Sequence, residues 1–207
     1  LHPRVRRQRQ MCIRDRLYEM LESRPADRLW HTGFLTLSSH EPFEVPYNRL
    51  KDKRQNSFAY TDHCLGEFID RLKQLPVWNN LLVICLPDHG SSPTFNVTSP
   101  TFYHIPMLWL GGAIKAPAVI HTLMNQSDMP ATLLGQLGLP HQDFKYSRNI
   151  FSTSYTYPFA YSTFSDGFMF KDSTGVTIFD NAARKPVYNE PAPDGAREEK
   201  GMAILQT

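Results

Sequence analysis

Between residues 55 and 74, apolar side chains return every third or fourth position: Phe58, Cys64, Leu65, Phe68, Ile69 and Leu72. That spacing predicts an amphipathic helix, with Pro76 just beyond its end. Residues 81–86, LLVICL, break the rhythm with an uninterrupted apolar run, the pattern of a strand covered on both faces in a parallel sheet. Residues 32–38, TGFLTLS, predict another buried strand, stopped near Pro42 because proline cannot continue a ladder. Strand, helix and strand in this order predict a βαβ unit with a right-handed crossover.

Further along, residues 105–110 (IPMLWL) form a third strand-like run, closed by Gly111-Gly112. Ser127-Asp128 is placed to cap a helix over about 128–137, with Met129, Leu133, Leu134 and Leu137 on one face. Gly138 and Pro140 supply its stop. Past Tyr155 the period shortens to alternation. Aromatic-rich segments near 158–170 and 174–180, with turn signals at Asp166-Gly167 and 172–175, predict a small antiparallel sheet. A polar linker over 189–195 leads to a last helix over about 195–206.

Composition adds limits. With 41% apolar and 12% aromatic residues, the 207-residue chain can bury a core and is no disordered polymer. No apolar run approaches the roughly 20 residues that span a bilayer. Three cysteines without a CxxC pair define no disulfide framework. The formal charge of +2 hides an asymmetry: residues 1–16 hold six arginines against Asp15, and without them 16 basic residues face 19 acidic ones. A basic arm ordinarily suggests nucleic acid or an anionic membrane. Here, however, residues 6–15 (RRQRQMCIRD) resemble the in-frame translation of a sequencing adapter. Residues 1–16 are therefore read as a non-native tail, no nucleic-acid partner is expected, and the native sequence is expected to start near Arg16 or Leu17, inside a longer reading frame.

Two polar clusters follow predicted strands: Ser38-Ser39-His40-Glu41 and Asp88-His89. Ligands in open parallel α/β sheets bind beyond the carboxyl ends of strands. An adjacent carboxylate and imidazole suit a divalent cation, which would polarise a phosphoryl or sulfuryl oxygen. His40 can hydrogen-bond the transferred group or protonate a leaving oxygen. Taken singly, each cluster is also an ordinary turn, and the residues alone reach only a possible metal-dependent transferase or hydrolase. Asp62-His63 reads as helix capping or helix surface, His104 as structural beside Pro106 or as lining the pocket, and Cys64 and Cys85 as core thiols. Tyr157, Phe159, Tyr161, Phe164 and Phe168 read as core of the small sheet, ahead of a carbohydrate-stacking platform.

Four segments occur in an order with a known counterpart: FLTLSSHEPF (34–43), LVICLPDHG (82–90), YHIPMLWL (103–110) and DMPATLLGQLGL (128–139). Together they resemble the lipoteichoic-acid-synthase-like sulfatases of the alkaline phosphatase superfamily, and the C-terminal sheet and helix resemble members from Bacteroidetes-type bacteria. The resemblance implies an incomplete α/β/α sandwich of the α/β class, spanning 17–150, followed by a small antiparallel subdomain over 151–207. It implies Asp88 and His89 as two metal ligands and His40 as the active-site histidine. The metal would be one divalent ion, Mn²⁺ foremost, with Zn²⁺, Mg²⁺ or Ca²⁺ as alternatives. A nucleophilic threonine and a further acidic ligand would lie upstream. Two-metal relatives carry an Asp four residues before the histidine. Thr36 stands there in this chain, pointing to the single-metal branch.

The implied activity is transfer of a phosphoglycerol or similar phospho-head group, with sulfuric-ester hydrolysis as the alternative and a non-catalytic envelope protein as a third reading. The implied partners are a phospholipid or glycan head group, and a membrane reached through a region outside this chain. The implied location is the bacterial cell membrane, with the catalytic domain extracytoplasmic.

Overall fold

The computed structural model describes residues 15–25, 28–90 and 96–206. The basic stretch through residue 14 and residues 91–95 lie outside them. The chain divides into two compact units, Leu1–Cys85 with Leu108–Ala116, and Leu86–Met107 with Pro117–Thr207.

In the first unit, residues 15–22 are helical (α1) and α2 spans Lys53–Leu72. Asp52 starts α2 by accepting the Gln55 N–H at 2.8 Å, satisfying an otherwise orphaned donor of the first turn. Asn56 is buried and fastens the preceding loop, accepting from Arg49 N and Leu50 N and donating to the Leu50 carbonyl. Leu21, Leu72, Leu75 and Leu81 form the core, with Phe68, Trp30 and Trp78 packed against them. The helix expected over 55–74 is present, but its buried face is Asn56, Ser57, Tyr60, Cys64 and Leu72. Phe58 is turned out, under the Arg54 guanidinium.

Two strands of three residues, β1 (Val83–Cys85) and β2 (Leu108–Leu110), pair antiparallel, Val83 opposite Leu110. The parallel pairing expected from the apolar runs is not found among the described residues. Such a run reports burial and carries no information on strand direction. Gly111 closes β2 at φ +117°, where a Cβ would lie 2.1 Å from the Leu81 carbonyl oxygen. The strand expected over 32–38 is not a strand: it joins no ladder, and Leu35 and Leu37 are 71% and 61% exposed. An apolar segment without a ladder partner has nothing to hold its backbone groups.

In the second unit, β3 (Ala160–Phe164), β4 (Gly167–Asp172), β5 (Gly175–Asp180) and β6 (Lys185–Glu190) form an antiparallel meander. Both faces of β4 and β5 are covered. One carries Phe168, Phe170 and Phe179 against Phe159, Tyr161, Met202 and Ile204. The other carries Met169, Val176 and Ile178 against Tyr103, Phe164 and Tyr188. β6 was not foreseen in the sequence, and its Pro186 ordinarily counts against a strand. It is tolerated here because β6 is an edge. Helix α4 (Gly195–Leu205) is capped by Asp194, which accepts from Ala196 N at 2.9 Å. Its Arg197 is 2% exposed and donates to Thr177, to the Thr174 carbonyl and to Asp194.

Helix α3 spans Met129–Gln136, preceded by a 3₁₀ turn at Gln126–Asp128 that Asn125 caps. Asp128 is fully buried and pairs with Arg148. The residues α3 buries fully are Ala131 and Thr132, while Met129, Leu133 and Leu134 of the expected stripe are half-buried and Leu137 is 58% exposed.

Candidate active site

Residues 86–90 leave β1 as a turn whose shape is fixed by backbone collisions. A Cβ on Gly90 would lie 1.5 Å from the Phe102 carbonyl oxygen. The 3₁₀ turn Pro100–Tyr103 therefore sits directly on Gly90, and only glycine allows it. That turn is itself anchored. Phe102 is buried and meets the Tyr103 ring edge-on at 5.2 Å, and the Tyr103 hydroxyl donates to the Val97 carbonyl at 2.7 Å. Burial pushes the Tyr103 phenol up to about 12. From the other side, the Gln126 amide donates to the Pro87 carbonyl at 2.6 Å.

On this turn Asp88 and His89 are exposed side by side, 75% and 63% respectively. The Asp88 carboxylate accepts the His89 backbone N–H at 3.0 Å. His89 Nδ1 is 2.7 Å from the Gly90 carbonyl oxygen. A carbonyl only accepts, so Nδ1 carries the proton and Nε2 offers its lone pair. Fixing one ring nitrogen in this way is how a ligating histidine is normally oriented. Nε2 and the nearer Asp88 oxygen are 3.9 Å apart.

His40 belongs to the first unit. Its turn is closed by His40 N to the Leu37 carbonyl and Phe43 N to the His40 carbonyl, with Phe43 at φ 58°. Here too Nδ1 lies against the next carbonyl, Glu41, at 3.1 Å, so Nε2 faces solvent on an exposed ring. The turn is tied to α2. The Thr61 hydroxyl donates to the Ser57 carbonyl, so Ser38 donates to Thr61, at 2.7 Å.

Asp88 and His89 thus stand together, and their donor types suit a divalent cation. They make half a site: among the described residues no group of three or more His, Cys, Asp or Glu is arranged to hold a metal. Of the other candidates, His63 stacks on Tyr47 and lies 3.4 Å from Glu67 on the surface of α2. His104 is exposed, Cys64 is buried and Cys85 half-buried. Burial pushes the Cys85 thiol up, away from a nucleophile.

The sulfatase family profile matches residues 8–139. The chain belongs to the sulfatase family. The matched range holds His40, Asp88, His89 and all of α3. Among curated proteins this sulfatase-family chain is 34% identical to arylsulfatase K of Canis lupus familiaris over 91 residues, which is 40% of this chain and 16% of that protein. Among solved structures it resembles a protein in the alkaline phosphatase superfamily from Vibrio parahaemolyticus. The TM-score is 0.61 at 19% identity, over 83% of this chain and 47% of that one. The fold is therefore that of the alkaline phosphatase superfamily, and the chain spans less than half the length of either relative.

Sequence reasoning passed over two arrangements in the second unit. Arg148 and Asp128 meet across 20 residues, at 2.6 Å. Tyr157 and Lys200 converge on Asp172, whose carboxylate is fully buried. No local pattern links positions so far apart. The Asp172-Ser-Thr-Gly turn was the one available signal, since an Asp there accepts from the residue two places on, as Asp172 does from Thr174 at 2.8 Å.

Proposed function

We propose that this sulfatase-family chain supplies the Asp-His metal ligands and the acid histidine of an enzyme that cleaves a phosphate or sulfate ester. The reaction favoured is transfer of a phosphoglycerol or similar phospho-head group. The observation that carries the reading is the pairing of Asp88 with a His89 ring whose Nδ1 is locked and whose Nε2 lies 3.9 Å from the Asp88 carboxylate. Asp88 and His89 would hold one divalent ion, Mn²⁺ first among Zn²⁺, Mg²⁺ and Ca²⁺, and the ion would neutralise charge on the transferred group. His40, its Nδ1–H held by its neighbour's carbonyl, would act as the imidazolium, giving its Nε2 proton to the leaving oxygen and keeping the one on Nδ1. A nucleophile is required as well, threonine in this reading, and no described residue is assigned that role. The acceptor side would be a phospholipid or glycan head group at the outer face of a bacterial membrane. Among the described residues no helix is long and apolar enough to cross one.

Hydrolysis of a sulfuric ester is the second reading, favoured by the likeness to arylsulfatase K. It would replace the threonine by a formylglycine. In a protein that carries these residues with a nucleophile and an acidic ligand, Asp88→Ala and His89→Ala should each lower metal occupancy by roughly 10-fold or more. His40→Ala should lower turnover with occupancy unchanged. Parallel assays on phosphodiester and aryl sulfate substrates separate the two reactions, and a protein with neither turnover nor metal uptake would be a non-catalytic envelope relative. The 207-residue chain by itself should turn over neither substrate, and measurable turnover would overturn the division of labour proposed here.

A further inference from the structure

In the second unit, the segment 141–159 lines a half-open pocket of about 400 Å³, within the roughly 300–1,000 Å³ range of small-molecule sites. Its lining combines aromatic rings with uncharged hydrogen-bonding groups, His141, Ser152, Ser154, Tyr155 and Tyr157, beside the Arg148 guanidinium. Tyr157 stands out among the aromatic residues of this region. Tyr161 and Phe168 pack into the sheet core, whereas Phe159 and Tyr157 line the pocket and Tyr157 is 42% exposed there.

The charges around the cavity are already matched. Arg148 gives Nε and Nη2 to the two oxygens of Asp128, at 2.9 and 2.6 Å, and its guanidinium is flanked by Phe159 at 3.8 Å and Tyr155 at 5.0 Å. Lys200 donates to the Tyr157 hydroxyl at 2.7 Å and lies 3.5 Å from Asp172. Each cation faces one carboxylate, so the pocket carries no net positive charge, and Arg148 Nη1, buried without a hydrogen-bond partner, is left as a donor. The other groups on offer are neutral. Ser152 and Ser154 hold each other at 2.8 Å and keep spare hydrogen-bonding capacity. His141 Nδ1 is 3.3 Å from the Leu139 carbonyl, which leaves Nε2 as an acceptor. Aromatic edges beside hydroxyl and imidazole groups match a ring with apolar C–H faces and an equatorial belt of hydroxyls.

We propose that this cavity is a binding site for a neutral sugar, separate from the Asp88–His89 turn in its residues and independent of the reaction assigned there. The test is titration of the whole chain with a neutral trisaccharide, followed by saturation-transfer NMR, with glycerol phosphate and inorganic sulfate in parallel. Saturable binding of the trisaccharide is expected. Ser152→Ala with Ser154→Ala should weaken it about tenfold, Ser154→Phe should block it by filling the cavity, and Tyr157→Phe, which keeps the ring, should retain it. Near-UV circular dichroism checks that each variant folds. Absence of trisaccharide binding, binding of the anions alone, or trisaccharide binding indifferent to both Ser154→Phe and the double serine variant would overturn the proposal.

Discussion

The C-terminal sheet and the β1–β2 pair are both rich in apolar residues, yet they are organised to opposite degrees. In β4 and β5, Phe168 and Ile178 are completely buried, because α4 covers one face and Tyr103, Phe164 and Tyr188 cover the other. In the first unit, three-residue strands pair alone, Leu108 is 51% exposed and the apolar residues 34–37 form no ladder. Apolar content gives a segment a reason to leave water, but neighbouring strands and a covering helix decide whether it can.

This contrast can be broken or sharpened by substitution, starting where the effect is largest. Phe168→Ala should destabilise the second unit by about 3–5 kcal/mol, with hydrogen exchange accelerating in β4, β5 and α4 and not in α2. Equal acceleration in both units would show one cooperative block. Gly201→Ala is the reverse insult: its new Cβ would fall 2.0 Å from the Phe168 ring, and a loss of about 1–3 kcal/mol in chemical denaturation is expected from overpacking.

Asp172 links the sheet to α4 through pH. Burial alone would raise its pKa, but hydrogen bonds from Thr174 and Tyr157, with Lys200 nearby, outweigh that and lower it to about 2. A carboxylate depressed in the folded state stabilises the protein above its unfolded pKa of about 3.9. That contribution should be lost as pH falls from about 4 towards 2, and Asp172→Asn should flatten stability across this window. Tyr157→Phe should cost about 1 kcal/mol at neutral pH. The smallest effect belongs to Leu35→Lys. On a side chain 71% exposed, it should shift the denaturation midpoint by no more than about 0.5 kcal/mol. A larger loss would mean that residues 34–37 are covered in solution.

The sequence was most informative where a signal is local. Alternation with Asp-Gly and Thr-Gly turns located β4 and β5, helical spacing located α2, and Gly138, at φ +66°, ends α3 as expected. The aspartate–histidine pair was legible for the same reason, since both members share one turn. Strand direction was not legible in the run 81–86, because a residue covered on both sides reads alike whichever way its neighbour runs. Pairings such as Arg148 with Asp128 depend on chain reversals that no window contains. The outward turn of Phe58 was missed because Asn56 and Ser57, polar residues, occupy the buried side of α2 and satisfy backbone groups there.

Gly90 has an evolutionary consequence. Its lack of a side chain is enforced by the Phe102 carbonyl, a steric demand that persists whether or not anything is ever hydrolysed, whereas Asp88 and His89 project into water and contribute little to folding. On the proposed reading, random mutagenesis of the three codons in a protein that also carries the nucleophile, selected first for expression and then for turnover, would therefore separate two ancestries of one signature. The glycine would survive both screens, and the acid and the imidazole only the second.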